Sequence, residues 1–171
     1  MERLFIMDMK NYDVSFQRFR RPSVRGIIIR NGKVAMVYSR KYRYFKFPGG
    51  GIESGEDNIS ALTREVHEET GLTVDTNSIR EFGSVLRVQL STYSPDTIFE
   101  QENYYYICDV SDTPDAQELD DYELEEGFTL SYVTPKEAIK ANRCNDHGDY
   151  DAALIEREAR VLELIAEKEL I

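Results

Sequence analysis

Residues 50–72 read GGIESGEDNISALTREVHEETGL, and this stretch decides the fold. Asp57 or Asn58 can accept from the free N–H groups that open a helix. Gly71 supplies its left-handed stop. Residues 59–69 between them contain neither Pro nor Gly and are rich in Ala, Leu, Glu and Arg, all good helix formers. With Glu65 at zero and about 100° per residue, Glu69 falls near 40° and Glu68 near 300°. Leu62, Val66 and Ile59 fall near 60°, 100° and 120° and make the face that docks on a sheet. Ser60, Thr63 and His67 point away, and Ala61, near 320°, leaves room for the glycine loop beside Glu65 and Glu68. An acidic run on a helix is ordinarily a solvated face. Here the acidic arc borders the apolar arc, so three carboxylates stand where the helix meets the body of the protein. Like charges three and four apart repel, and a hard divalent cation with oxygen ligands removes that repulsion.

The chain has 171 residues and a net charge of −11. That length suits one domain with a single sizeable core. The charge argues against stable nucleic-acid binding through a long basic surface. No apolar run is long enough to span a membrane. The N-terminus, with acids among its apolar residues, is a poor signal peptide. The two cysteines, Cys108 and Cys144, lack metal or redox spacing and read as reduced thiols of a cytoplasmic protein. Charge is unevenly spread: residues 14–52 hold ten Arg and Lys and no acid, whereas residues 88–135 hold no Arg or Lys. The basic segment can draw a small polyanion toward the acidic helix. Arg20, Arg43 and Lys46 are its candidates for phosphate or base contacts, with Gly50 in the loop that faces the phosphate.

The remaining pattern predicts an α/β domain with a mixed sheet. Strands are expected over 24–30 and 34–39, joined at Asn31-Gly32 in a type I′ turn. Further strands are expected over 44–47, 79–93, 103–110 and 128–133. A short helix is expected from Pro135, and a longer one over 151–170. Residues 1–20 read as an extension that adds an edge strand or joins a homodimer contact, and residues 21–171 as the single domain. His147 reads as a loop residue.

The 50–72 segment resembles the Nudix box, G-x5-E-x7-R-E-U-x-E-E-x-G-U with U aliphatic, and matches it at every defined position. The preceding Phe47-Pro48-Gly49-Gly50 is similar to the usual lead-in. The resemblance implies an α/β/α sandwich that hydrolyses a nucleoside diphosphate linked to another moiety, using Mg²⁺ or Mn²⁺. It implies Glu65, Glu68 and Glu69 as metal ligands, with the Gly49 carbonyl as a further ligand and Glu56 supporting the loop or binding metal through water. Arg64 and Glu68 join the catalytic set, Arg64 by orienting carboxylates. The general base is expected outside the box, in the acidic loop 118–128: Glu126 first, then Glu123 or Glu125, with Glu100 and Glu102 further candidates. Relatives that cleave ADP-ribose or dinucleoside polyphosphates often carry a Pro or a Tyr past the box, where this chain has Arg87, Val88, Gln89 and Leu90. This favours a nucleoside triphosphate, including an oxidised purine, as substrate. The alternatives are an ADP-ribose or nucleotide-sugar pyrophosphatase, or a Nudix-fold sensor that binds a nucleotide without cleaving it.

Overall fold

A computed structural model describes residues 1–171. In chain order its elements are β1 (Arg3–Asp8), β2 (Gln17–Arg20), β3 (Ser23–Ile27), β4 (Ile29–Arg30), β5 (Lys33–Ser39), β6 (Tyr44–Lys46), α1 (Asn58–Thr70), β7 (Arg80–Leu90), β8 (Thr97–Ile107), α2 (Asp121–Glu126), β9 (Thr129–Val133), α3 (Pro135–Cys144) and α4 (Ala152–Glu167). A single 3₁₀ turn, Thr76–Ser78, precedes β7.

Two sheets share the middle of the molecule. In the first, β7 and β8 form a long antiparallel hairpin. β1 lies parallel to β7, and β2 and β3 lie parallel to β8. In the second, β5 pairs antiparallel with β9, β4 and β6. Ile28 alone separates β3 from β4. The Ile27 carbonyl accepts from Cys108 N, and the Ile28 carbonyl accepts from Ala35 N. The chain thus crosses from one sheet to the other within a residue. The turn that follows has positive φ at both Asn31 and Gly32, as a type I′ hairpin requires.

Strand alternation divides the apolar residues between two cores. Val34, Met36 and Tyr105 join Phe47, Val85, Val161, Leu162 and Ile165 on the α3/α4 side. Ala35 and Tyr106 join Val24, Ile28, Leu62 and Val66 on the α1 side. Helices therefore cover both faces, and the fold is an α/β/α sandwich with a mixed sheet.

The helix α1 starts as its residues dictate. Asp57 Oδ1 accepts from the N–H groups of Ile59 and Ser60, both at 2.9 Å, a cap that contributes about 1 kcal/mol. Gly71 closes it at φ 71° with its N–H on the His67 carbonyl. Leu62 and Val66 are fully buried, each gaining about 1.5–3 kcal/mol over exposure.

Four details differ from the sequence reading. Ile59 stays exposed. Ala61 is buried in the core and not beside the glycine loop. β8 begins at Thr97, well before residue 103. Its polar middle, Glu100-Gln101-Glu102, is stabilised by Arg18 and Arg20 on Glu100 and by Arg3 on Glu102. The acidic loop 118–128 contains the short helix α2. Its first turn is closed by Glu123 Oε2 accepting from Asp120 N at 2.9 Å.

Candidate active site

The loop before α1 is hung on β3. Gly26 N donates to the Pro48 carbonyl at 2.8 Å, Val24 N to the Gly50 carbonyl at 3.0 Å, and Ile52 N to the Pro22 carbonyl at 3.1 Å. No side chain fits on either side of this loop. A Cβ at Gly49, where φ is 141°, would lie 2.1 Å from the Val24 carbonyl oxygen, and one at Gly50 would lie 2.2 Å from Glu65 Oε2. The bare backbone is thereby wedged between a strand and the carboxylates of α1.

Glu69 is the innermost of these, 1% exposed. It accepts from Gly49 N at 2.8 Å and from Lys46 Nζ. Burial pushes its carboxyl up to about 7; Lys46 works against that rise and Glu123 adds to it. Lys46 Nζ also reaches the Gly49 carbonyl at 3.4 Å, and the buried Arg25 donates its Nη1 to the same oxygen. One loop carbonyl thus receives two cationic groups.

Arg64 organises the others. Its Nε and Nη2 clamp Glu56 with two bonds of 2.9 Å, the fork geometry that a guanidinium offers a carboxylate. Nη1 donates to Glu65 at 2.8 Å and to Glu68 at 3.0 Å, and Nη2 to the Gly51 carbonyl at 3.2 Å. The Arg64 bond holds the Glu56 carboxyl below its usual range. Burial raises that of Glu65 despite Arg64.

No three His, Cys, Asp or Glu side chains stand together in ligating geometry, because Arg64 and Lys46 each draw carboxylates to themselves. The donor set still fits a hard divalent cation: it is all oxygen, it carries excess negative charge, and its loop carbonyl already attracts cationic groups. Glu65, Glu68, Glu69 and the Gly49 carbonyl are the groups that would hold such an ion, with Glu56 behind them.

Outside this cluster, Glu126 Oε2 accepts from Ser39 Oγ at 2.9 Å and Tyr44 OH at 3.1 Å. Tyr44 and Lys46 lie on the same side of β6 by strand alternation, so Glu126 sits along the sheet from Glu69. Glu123 is buried and committed to Asp120 N and Tyr122 OH. Glu125 pairs with Lys41 at the surface. Glu100 pairs with Arg18 and Arg20 of β2, and Glu102 with Arg3 of β1. His67 is half-buried, 4.0 Å from Glu118. His147 packs both ring nitrogens against the Tyr42 and Asn142 carbonyls.

A cleft of ≈ 810 Å³ opens beside the glycine loop, lined among others by Phe19, Arg21, Arg25, Arg87, Gln89 and Asp151. Arg21 connects it to the loop, lying over Gly51, where a Cβ would meet its guanidinium at 3.0 Å. Arg20 and Arg43 do not join this cleft. Arg20 projects to the opposite side of the sheet and pairs with Glu100 at 2.9 Å. Arg43 is exposed in the β5–β6 turn at φ 60°. Arg21, Arg25 and Arg87 were not singled out for this role by the sequence. The available signal was parity: Phe19 and Arg21 share one side and Arg20 takes the other, but only the pairing of β2 with β8 says which side is the cleft.

Residues 19–154 match the family model described as the NUDIX domain. The chain belongs to the Nudix family. It is a hydrolase acting on phosphoric anhydride bonds, and its box is the loop and helix just described. Solved structures share the fold. A NUDIX hydrolase from Nitrosomonas europaea is 17% identical with a TM-score of 0.59, covering 84% of this chain and 90% of its own. The MutT NUDIX hydrolase from Burkholderia pseudomallei is 16% identical with a TM-score of 0.56, covering 85% and 97%. The ORF135 protein of E. coli is 23% identical with a TM-score of 0.53, covering 87% and 93%. No helix of this Nudix protein is long and apolar enough to cross a membrane.

Proposed function

We propose that this chain is a Mg²⁺- or Mn²⁺-dependent pyrophosphohydrolase of nucleoside triphosphates, oxidised purine nucleotides among them, working in the cytoplasm. The observation that carries this reading is the junction of Gly49, Glu65 and Glu69. There Gly49 N donates to the buried Glu69, Gly50 packs on Glu65, and Arg25 and Lys46 are already drawn to the Gly49 carbonyl. The cationic cleft beside it supports a polyanionic substrate. Two free cysteines, one of them exposed, support a reducing compartment.

Glu65, Glu68, Glu69 and the Gly49 carbonyl would hold the divalent ion, which when bound would supply Lewis acidity to the phosphoryl oxygens and a lowered pKa to water. The residues of the chain do the rest. Arg64 fixes the spacing of Glu56, Glu65 and Glu68. Glu126, oriented through Oε2 by Ser39 and Tyr44, keeps Oε1 free of protein donors and accepts the proton of the attacking water. The new bond joins the water oxygen to phosphorus. The anhydride P–O bond breaks, and a phosphate-containing group leaves with that bonding pair. Arg21 and Arg25 steady the remaining charge at the loop.

Formation of the nucleoside mono- or diphosphate product from nucleoside triphosphates, an oxidised purine triphosphate, ADP-ribose and a nucleotide sugar tests the reading, with Mg²⁺ present. The triphosphates should turn over fastest, and Glu69→Gln should abolish that turnover. Full activity in Glu69→Gln would contradict the site; preference for ADP-ribose or the nucleotide sugar would contradict the substrate.

A further inference from the structure

The cleft beside the box collects cations in a chain that is otherwise acidic. Arg21, Arg25 and Arg87 line it, and Asp151 is the one carboxylate among its lining residues. Arg25 is 8% exposed, and its Nε has no hydrogen-bond partner. A buried guanidinium N–H without an acceptor costs free energy on the order of 1–3 kcal/mol or more, so the site is short of one acceptor. Arg87 is buried as deeply. Its Nε and Nη2 bond Gln89 Oε1, at 3.0 and 2.6 Å, and Nη2 also meets Asp151. Its Nη1 makes no bond. Burial leaves the Arg87 guanidinium below its usual range in spite of Asp151, the direction expected where charge compensation is incomplete.

The Phe19–Phe99 pair of the cleft has no slot for a base between its rings. Phe19 and Phe99 stand 6.2 Å apart at 35°, a separation at which two rings contact each other and leave no space for a third between them. What the cleft lacks is anionic acceptors, and guanidinium forks match phosphate oxygens bidentately.

We propose that this cleft binds a phosphate of the substrate other than the two joined by the scissile anhydride, with Arg87 as the residue that selects for it and Arg25 and Arg21 completing the cradle. The inference rests on the hydrolase reading for its catalytic consequence, while the binding of a polyphosphate in the cleft is independent of turnover. The selected phosphate is either the chain-end phosphate of a nucleoside triphosphate or a phosphate ester on a ribose.

Steady-state kinetics with Mg²⁺ on a nucleoside triphosphate, ADP-ribose and 2′-phospho-ADP-ribose test this in the wild type, Arg87→Gln and Arg87→Lys. The wild type should favour at least one substrate with the extra phosphate over ADP-ribose by tenfold or more in kcat/KM. Preference for the triphosphate assigns the chain-end phosphate, and preference for 2′-phospho-ADP-ribose assigns the ester. Arg87→Gln should erase the preference through KM, with kcat and ADP-ribose turnover held within about twofold, and Arg87→Lys should restore part of it. Equal loss on all three substrates, or no preference in the wild type, overturns the assignment. If no substrate is cleaved, the hydrolase reading fails on its own. Calorimetric titration of inorganic tripolyphosphate without metal then decides the cleft: Arg87→Gln should weaken it at least tenfold, and an unchanged affinity overturns the proposal. Should Arg87→Gln not fold, Arg21→Gln at the exposed rim carries the same titration, with a loss of threefold or more expected and none contradicting it.

Discussion

The Cα of Gly50 lies against the carboxylate of Glu65 so closely that a methyl group there would come within 2.2 Å of Oε2 and 2.6 Å of Cδ. Backbone hydrogen bonds from Val24 and Gly26 prevent the loop from backing away. Gly50→Ala must therefore displace Glu65. It should cost about 1–3 kcal/mol of stability, the usual range for overpacking, and lower Mg²⁺-dependent turnover more than tenfold. Chemical denaturation alongside kinetics checks both. A stable and fully active Gly50→Ala would mean that the position of Glu65 is irrelevant.

Arg64 holds three acidic side chains and a carbonyl at once. Lysine preserves the charge but not the fork. Arg64→Lys should therefore lose about 1–3 kcal/mol of charge-assisted bonding and most of the activity. Raising the Mg²⁺ concentration should recover a part of it, since the cation can gather the carboxylates that Arg64 no longer spaces. Indifference to the substitution in both melting and turnover would reduce Arg64 to an ordinary surface ion pair.

Two loop glutamates should separate cleanly. Glu126→Gln removes the proposed proton acceptor and should reduce kcat by about 10²–10⁴-fold, with little change in folding. Glu123→Gln weakens the start of α2, where the carboxylate accepts from Asp120 N and Tyr122 OH. Its effect should appear in stability, with kcat within a few-fold of wild type. The reverse pattern would move the base to Glu123.

Cys108 is buried, and desolvation pushes its thiol from 9.0 up to about 12. A raised folded-state value means that the stability contribution is complete below the unfolded value and is lost as pH climbs through the folded one. Between about pH 9 and 12 the wild type should therefore lose stability faster than Cys108→Ala, by up to about 1.4 kcal/mol per pH unit. Urea denaturation at several alkaline pH values measures the difference. In the native state a thiol reagent should label exposed Cys144 and spare Cys108; equal labelling of the two would contradict the burial argument.

Local chemistry carried much of the fold. The helix Asn58–Thr70 is bounded by the Asp57 cap and the Gly71 stop that its own residues dictate, and Asn31-Gly32 makes its hairpin wherever the strands lie. What was illegible depends on partners remote in sequence. The Glu100-Gln101-Glu102 stretch looks too polar for a strand until Arg3, Arg18 and Arg20 are placed opposite it. Helix α2 is too short for a periodic signal, and its acids hide a capping interaction. At the site, the box brings Glu56, Arg64, Glu65, Glu68 and Glu69 around the glycine loop through contacts within one segment. The cleft arginines come from β3, β7 and the residue after β2, and no local pattern announces that they meet.

We propose that the carboxylates of α1 and the Gly49 carbonyl hold a divalent cation. Titration of metal-free protein with Mn²⁺, followed by the electron paramagnetic resonance of the free ion, tests it without any substrate. Saturable uptake by the wild type, weakened at least tenfold in a normally folded Glu69→Gln, is the result expected here. Equal uptake by the two proteins, or none by the wild type, would contradict it.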